Sequence, residues 1–165
     1  MKRFTFIICL FLLGNSVLCQ KFTFLSYSTK EGLAQSQVND IAQDKKKYIW
    51  IATLDGLSKF NGKTFQNFYQ KDGLLSNRIY SISIDNQDHV WAVTSAGISI
   101  LTSDSIFPFV HNDLFVNQEI IDVSHQKQKV IISTESGGIY VFDRLEEEIK
   151  LARIHKKSLE NAIKV

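Results

Sequence analysis

Short runs of alternating apolar and polar residues, separated by glycine-containing turns, fill the chain after its first nineteen residues. Phe22–Ser28 and Val38–Gln43 alternate, as strands with one covered face do. Tyr48–Thr53 is almost continuously apolar, and Gly56–Phe60 follows and ends at the hairpin-type pair Asn61-Gly62. The pattern predicts four short β-strands in about 41 residues.

The same pattern recurs at a nearly constant spacing. Residues 48–57 return forty-one residues later as 89–98 and, after a further forty, as 129–139. A strand that is apolar on both faces needs cover on both, which neighbouring repeats stacked face to face would provide. Four strands in about 41 residues is the size of a propeller blade. We therefore predict an all-β fold, an incomplete β-propeller of about three and a half four-stranded blades.

Other repeat architectures fit less well, and the repeat sets the domain boundaries. A β-sandwich does not repeat one motif at this interval, and helical repeats need a 3.6-residue periodicity that these segments lack. We predict a propeller domain over residues 20–165, with units at approximately 22–62, 63–103 and 104–143 and the start of a fourth at 144–165.

The last twenty residues allow two interpretations. Ser158–Ile163 resembles Leu75–Ile79, which favours an interrupted fourth unit and a chain that is a fragment of a longer protein. The alternative is a terminal amphipathic helix over residues 145–165, with a loose apolar stripe formed by Leu145, Ile149, Ala152, Leu159 and Ile163.

Residues 1–19 have the layout of a secretory signal peptide. Lys2 and Arg3 precede the apolar stretch Phe4–Leu13, and Val17-Leu18-Cys19 supplies a cleavage site. The stretch is too short to span a bilayer comfortably. We expect an exported protein, periplasmic or on the cell surface, with no membrane anchor in the mature chain. A lipoprotein modified at Cys19 is an alternative that the large Leu18 disfavours.

Removal of the signal peptide changes the charge and the thiol content. Both cysteines are lost, and so are two of the 19 Lys and Arg residues, which leaves 17 basic against 17 acidic side chains. A net charge of zero gives no support for nucleic acid or an anionic membrane as a partner.

No catalytic or metal-binding constellation is evident in the sequence. Trp50 and Trp91 lie mid-strand in apolar surroundings, which favours a core role over stacking on a sugar. Asp44 and Asp85 each precede a turn and are more typical of turn caps than of metal ligands. The histidines are scattered without metal spacing, and no phosphate loop or nucleophile motif occurs. We predict no cofactor, no metal and no enzymatic activity.

Ligand contacts, if the protein makes them, are expected in the loops that join one strand to the next. The segments Leu33–Gln37 and Leu74–Arg78 are polar connections of this kind. Gln35, Gln37, Asn77 and Arg78 are the candidate ligand-binding residues, and the alternative is that they only close turns.

The repeat residues resemble those of the two-component regulator propeller repeat, which in outline runs Gly-Leu-x4-Val, Ile-x-x-Asp and Trp-Ile-x-Thr-x-x-Gly-Leu. The third copy keeps Thr134 and Gly137, but it has Ile131 or Ile132 in place of tryptophan and no matching aspartate. The positions that match in the first two copies are Gly32, Leu33, Asp44, Trp50, Thr53 and Gly56, and then Gly73, Leu74, Asp85, Trp91, Thr94 and Gly97.

This resemblance implies an extracytoplasmic sensor. In that family the propeller repeats precede a further β-domain, a membrane span and a cytoplasmic histidine kinase or DNA-binding output. The implied partners are a small-molecule or glycan ligand, further propeller blades and the signalling domains. Kinase activity would reside in those downstream domains and not in this chain. The alternative is a secreted propeller protein that acts as a glycan-binding protein or a lyase-type enzyme, because a fold does not fix a function.

Overall fold

The computed structural model describes residues 24–145 and 148–156, which form three four-stranded antiparallel sheets. Within each sheet every strand pairs with the next one along the chain. Two short 3₁₀ helices lie between the sheets, at Gln70–Asp72 and Asn112–Phe115. The strands of sheet 1 are β1 (Val38–Gln43), β2 (Ile49–Thr53), β3 (Gly56–Phe60) and β4 (Phe65–Phe68). Those of sheet 2 are β5 (Ile79–Ile84), β6 (Val90–Thr94), β7 (Gly97–Leu101) and β8 (Ile106–Pro108). Those of sheet 3 are β9 (Ile120–Gln126), β10 (Lys129–Thr134), β11 (Gly138–Leu145) and β12 (Glu148–Lys156).

The core lies between the sheets. One cluster joins sheets 1 and 2 and includes Trp50, Leu57, Ile82, Val90 and Leu101. A second cluster joins sheets 2 and 3 and includes Trp91, Ile98, Phe109, Val123 and Ile132. The β6 strand is buried along its whole length because it has a sheet on either side. The first strand of sheet 2, β5, contacts both β1 and β9, so the first strands of the three sheets lie side by side, and we call this the inner side of the array.

The expected all-β, blade-like architecture is confirmed, with a shift in phase between sequence repeat and sheet. Each sheet takes its fourth strand from the start of the following sequence unit, so the sheets cover residues 38–68, 79–108 and 120–156 rather than 22–62, 63–103 and 104–143. The apolar repeat has no inherent starting point, so it cannot tell which of four consecutive strands share a sheet.

The predicted first strand, Phe22–Ser28, is wrong for the residues that the structure describes. Residues 24–28 have no strand conformation. Their repeat equivalents, Phe65–Phe68, form β4 by pairing with the preceding β3. Residues 24–28 belong to none of the three sheets that the structure describes. Tyr27 instead packs its ring against Phe60 and Phe65.

The helical alternative for residues 145–165 is wrong where the structure describes it. Glu148–Lys156 is β12, which pairs with β11 along the outer edge of sheet 3. The Ser158–Ile163 segment and the signal peptide, residues 1–19, lie outside the described residues. Among the described residues, none of the helices has the length and hydrophobicity of a transmembrane segment.

Candidate functional site

At one end of the sheets, the connections that precede β1, β5 and β9 contact the turns between the second and third strands. We call this end the rim. Its connections contain Gln37, Arg78 and Glu119, and its turns contain Leu54, Ser95 and Glu135. In each sheet a backbone amide of the turn after the second strand donates a hydrogen bond to the connection. Leu54 donates to the Gln37 carbonyl (3.4 Å), Ser95 to the Arg78 carbonyl (3.0 Å) and Glu135 to the Glu119 carbonyl (2.9 Å). The rim is therefore a repeated structure built by the backbone.

The four candidate ligand residues all lie on this rim, where they have different surroundings. The side-chain oxygen of Gln35 accepts the amide of Gln37, so this pair closes a local turn. Asn77 accepts the Gln70 amide (2.7 Å) and donates to Asp55 (3.0 Å), which holds the first rim turn in place. Arg78 is exposed. The structure thus places Gln37 and Asn77 on either side of one turn, and their role in ligand binding remains a prediction.

A β-bulge interrupts each innermost strand just below the rim. The pairing skips one residue in each case, and these extra residues are Asn39, Tyr80 and Ile121. Bulges bend a strand and redirect a side chain, and they are frequent beside functional sites. Asn39 donates from Nδ2 to the Ile79 carbonyl at 2.7 Å, so it bridges to the next sheet.

The bulges are not among the features predicted from the sequence. A signal for the first one exists in the strand pattern, because Val38-Asn39-Asp40-Ile41 puts two polar residues between two apolar ones, which breaks strict alternation.

A cleft of about 560 Å³ opens on the rim between sheets 2 and 3. The rim turn of sheet 2 forms one wall, the connection before β9 forms the other, and the bulged Tyr80 contributes from β5. Its volume is within the range of small-molecule sites. The residues lining it are Tyr80, Thr94, Ser95, Ala96, Gly97, Asn112, Phe115, Val116, Asn117, Gln118, Glu119 and Ile120.

Several polar side chains that line this cleft form hydrogen bonds with other groups of the protein. Asn112 accepts the Ile98 amide (2.8 Å) and donates to the Ile98 carbonyl (2.9 Å). Gln118 accepts a hydrogen bond from the Tyr140 hydroxyl at 3.1 Å. Thr94 donates its hydroxyl to the Gly97 carbonyl at 2.8 Å. These bonds fix the walls of the cleft, whereas the side chains of Tyr80, Asn117 and Glu119 form no hydrogen bond with another residue of the part of the chain that the structure describes.

A row of polar side chains crosses the innermost strands below the bulges. The Ser81 hydroxyl lies 3.1 Å from Asp40 and 3.2 Å from Asp122, and Asp40 also accepts the Ile82 amide (2.9 Å). One hydroxyl donates to one carboxylate at a time. The row ties three sheets together through side chains at equivalent repeat positions.

The repeat-signature residues make structural contacts. The indole nitrogens of Trp50 and Trp91 donate to Asp44 and Asp85 at 2.9 and 3.0 Å, and both rings are buried. Thr53 and Thr94 donate to the carbonyls of Gly56 and Gly97 across their turns.

The remaining signature residues also belong to the core or to turns. Leu33 and Leu74 are buried, and Gly32 and Gly73 precede them with positive φ. In sheet 3 the turn is one residue longer, so Gly138 takes the pairing position of Gly97, while Gly137 keeps the positive φ. Ile131 stands at the tryptophan position, since it pairs with Ser124 as Trp91 pairs with Ser83.

Asp85 has additional partners, of which Arg144 comes from sheet 3. Arg144 donates to its Oδ2 at 2.8 Å, and the amide of His89 donates to Oδ1 at 3.0 Å. Burial alone would raise the pKa of Asp85, but the hydrogen bonds from His89, Trp91 and Arg144 outweigh it and hold that pKa below its ordinary value. The arrangement is a charged clamp between neighbouring sheets.

His125 lies beside this clamp. Its ring packs edge-on against Trp91, with 5.0 Å between centroids, and its Nε2 lies 3.1 Å from the Ser83 hydroxyl. Burial lowers the pKa of His125 to about 4, with the nearby Arg144 acting in the same direction. The ring is therefore neutral at physiological pH. No group of three or more His, Cys, Asp or Glu side chains within residues 24–145 and 148–156 is arranged to hold a metal ion.

Comparison with known proteins bears out the resemblance seen in the repeats. A family model described as the two-component regulator propeller matches residues 32–55 and 73–96. A 44-residue stretch is 52% identical to histidine kinase P4 of Formosa agariphila. That stretch is 27% of this chain and 3% of the kinase.

Solved structures share the fold. The extracellular domain of BT3049 from B. thetaiotaomicron, described as a hybrid two component system, superimposes with a TM-score of 0.69 at 22% identity, over 82% of this chain and 20% of that domain. The extracellular domain of BT4673 from the same organism gives a TM-score of 0.63 at 19% identity, over 84% of this chain and 19% of that domain. The chain thus spans about a fifth of these solved domains.

Proposed function

On the premise that this chain carries two-component regulator propeller repeats, we propose that it is a ligand-sensing module of an exported bacterial receptor. The module recognises a small-molecule or glycan ligand outside the cytoplasm and acts within a larger signalling protein, since the relatives it matches are much longer. Its own part is recognition, and any kinase chemistry belongs to the output domains.

The observation that carries the proposal is the cleft at the rim. It combines an aromatic side chain placed by a bulge with amide and carboxylate groups on a connection between sheets. Such connections vary while the strands keep the geometry, which suits a receptor that must recognise a particular ligand. The cleft also touches two sheets, so a ligand bound there would affect how they pack.

A binding screen tests this proposal. The full chain is incubated with a panel of disaccharides, and its thermal unfolding is followed by fluorescence. A ligand at about a hundred times its Kd stabilises a protein by about 2.7 kcal/mol, which for a chain of this size raises Tm by about 5–10 °C.

We expect at least one disaccharide to give this rise and to be recovered unchanged. The rise should be lost in Tyr80→Ala and kept in Tyr69→Phe, because Tyr69 does not line the cleft. Conversion of a bound sugar would instead favour the lyase-type alternative, and a panel without any binder would contradict ligand sensing of this class.

A further inference from the structure

The cleft between sheets 2 and 3 has one charged group. Of its twelve lining residues, Glu119 alone carries a formal charge. Among residues 24–145 and 148–156, no side chain forms an ion pair or hydrogen bond with the Glu119 carboxylate. The cleft therefore presents a negative charge that none of the described residues neutralises.

The fold does not require this charge. Glu119 occupies the same repeat position as Gln37 and Arg78, where the backbone carbonyl accepts the amide of the rim turn. The side chain at this position is neutral in the first sheet, positive in the second and negative in the third. Since it is the backbone carbonyl of Glu119 that bonds to the rim turn, its side-chain carboxylate is available for a ligand.

Tyr80 adds a second group suited to a cation. It stands at the bulge of β5 and is 37% exposed, in the same cleft as Glu119. The face of an aromatic ring attracts an ammonium group, and a carboxylate forms a strong charge-assisted hydrogen bond with it. Asn39 and Ile121, at the equivalent bulges, offer no such ring.

We propose that this cleft recognises a ligand that carries a protonated amine, with Glu119 as its counter-ion and Tyr80 against it. The proposal rests on the ligand-sensing function above and specifies the chemistry of the ligand. A neutral ligand could donate hydrogen bonds to the carboxylate but would lack the charge–charge attraction that an ammonium group adds, and an anionic ligand would be repelled.

Three sugars of one size test the proposal: glucosamine, glucose and glucuronate. Binding to the full chain is measured by titration calorimetry at about pH 6, where the amine is protonated. We expect glucosamine to bind about tenfold more tightly than glucose, and glucuronate to bind most weakly. Raising the salt concentration should narrow the difference between glucosamine and glucose, since screening weakens exposed charge interactions.

Two matched variants locate the effect. Glu119→Gln should remove the preference for glucosamine and leave glucose binding within about twofold. Glu135→Gln is the control, because Glu135 is exposed on the adjoining rim turn but does not line the cleft, and it should keep the preference.

Equal binding of the three sugars, a preference that survives Glu119→Gln, or binding of none would overturn the assignment of the amine. Disaccharide binding in the screen described above would then still support a sensor with a neutral ligand, so the two proposals fail separately.

Discussion

At the scale of single residues, some of the side chains that stabilise the fold can be predicted from the repeat, and others cannot. Asp44 and Asp85 were recognisable as turn residues because each precedes a turn at the same repeat position. Their bonds to Trp50 and Trp91 follow from that spacing. Arg144 was not recognisable as a partner of Asp85, since it lies 59 residues away and on the next sheet. Contacts within a repeat are therefore easier to predict than contacts between repeats.

His125 should make the stability of the protein depend on pH. Its pKa in the folded chain is about 4, whereas the unfolded chain binds the proton near the ordinary 6.5. Stability is therefore fully present above about pH 6.5 and falls as the pH drops toward 4. We expect a loss of about 1–3 kcal/mol over this window, reduced by the partial exposure of the ring.

Urea unfolding of the wild-type chain and of His125→Gln, at about pH 7 and pH 4.5, measures this effect. The variant keeps a polar group near Ser83 and removes the titration, so its stability should change less between the two pH values. Protonation of acidic side chains such as Asp85 also lowers the stability of the protein at low pH. The informative quantity is therefore the difference in pH dependence between the wild-type chain and the variant. Identical pH dependence in both would show that His125 is not the group responsible.

At the scale of the elements, the sequence pattern predicts all four strands of the second and third units and three of the four in the first, because period-two alternation and continuous apolar runs report which faces are covered. The predicted segments Val38–Gln43 and Gly56–Phe60 coincide with β1 and β3. The segment Phe22–Ser28 has the same alternation, yet its described residues, 24–28, form no strand. Alternation reports the potential of a segment to pair, whereas a strand forms only where a neighbour offers its backbone.

A glycine in a rim turn and one in a turn at the opposite end of a sheet offer a test of how the connections pack. Gly97 has φ +114°, and a Cβ added there would stand 2.8 Å from the Asn112 side-chain oxygen. Gly62 has φ +93° with nothing within 4 Å of an added Cβ. Both substitutions to alanine strain a backbone with positive φ, but at Gly97 the Asn112 side chain, which is hydrogen-bonded to Ile98, must also move. We expect a loss in the free energy of unfolding of about 1 kcal/mol for Gly62→Ala and about 2–4 kcal/mol for Gly97→Ala.

Chemical denaturation of the two variants beside the wild-type chain gives both values. A similar loss in both would mean that the connection yields to the added methyl group, and that the walls of the cleft are softer than their hydrogen bonds suggest.

At the scale of the whole molecule, the rim was foreseen but the cleft was not. Loops that join strands are the natural place for a ligand, which is why the rim connections were selected from sequence. The cleft depends on how sheet 3 stands against sheet 2 and on the bulge that turns Tyr80 toward it. The bulge recurs in every sheet, but the tyrosine that stands at it and the packing of sheet 3 against sheet 2 cannot be deduced from the repeat, since a repeat describes what its copies share and the cleft arises where one copy differs from the others.

The two outer faces of the array should make the protein associate. Ile41 and Ile82 occupy the same repeat position, yet Ile82 is 6% exposed between two sheets and Ile41, on the outer face of sheet 1, is 60% exposed. Ile98 and Ile139 show the same contrast at the other end, with 0% and 43% exposed. Apolar surface that the fold buries in the interior is thus open at both ends in the part of the chain that the structure describes, and repeat arrays need caps on such faces.

Sedimentation of the chain without residues 1–19, at increasing concentration, should show growing association. Ile41→Thr and Ile139→Thr keep a β-branched side chain and remove apolar surface, so each should weaken it. Val110→Thr is the control, since Val110 is 71% exposed but lies in a connection. If Ile41→Thr and Ile139→Thr weaken the association and Val110→Thr does not, one end of the array binds the other end of a second copy, as neighbouring sheets pack within the chain. A monodisperse monomer with a sharp thermal transition would mean instead that the three sheets are stable as a monomer although these apolar faces are exposed to water.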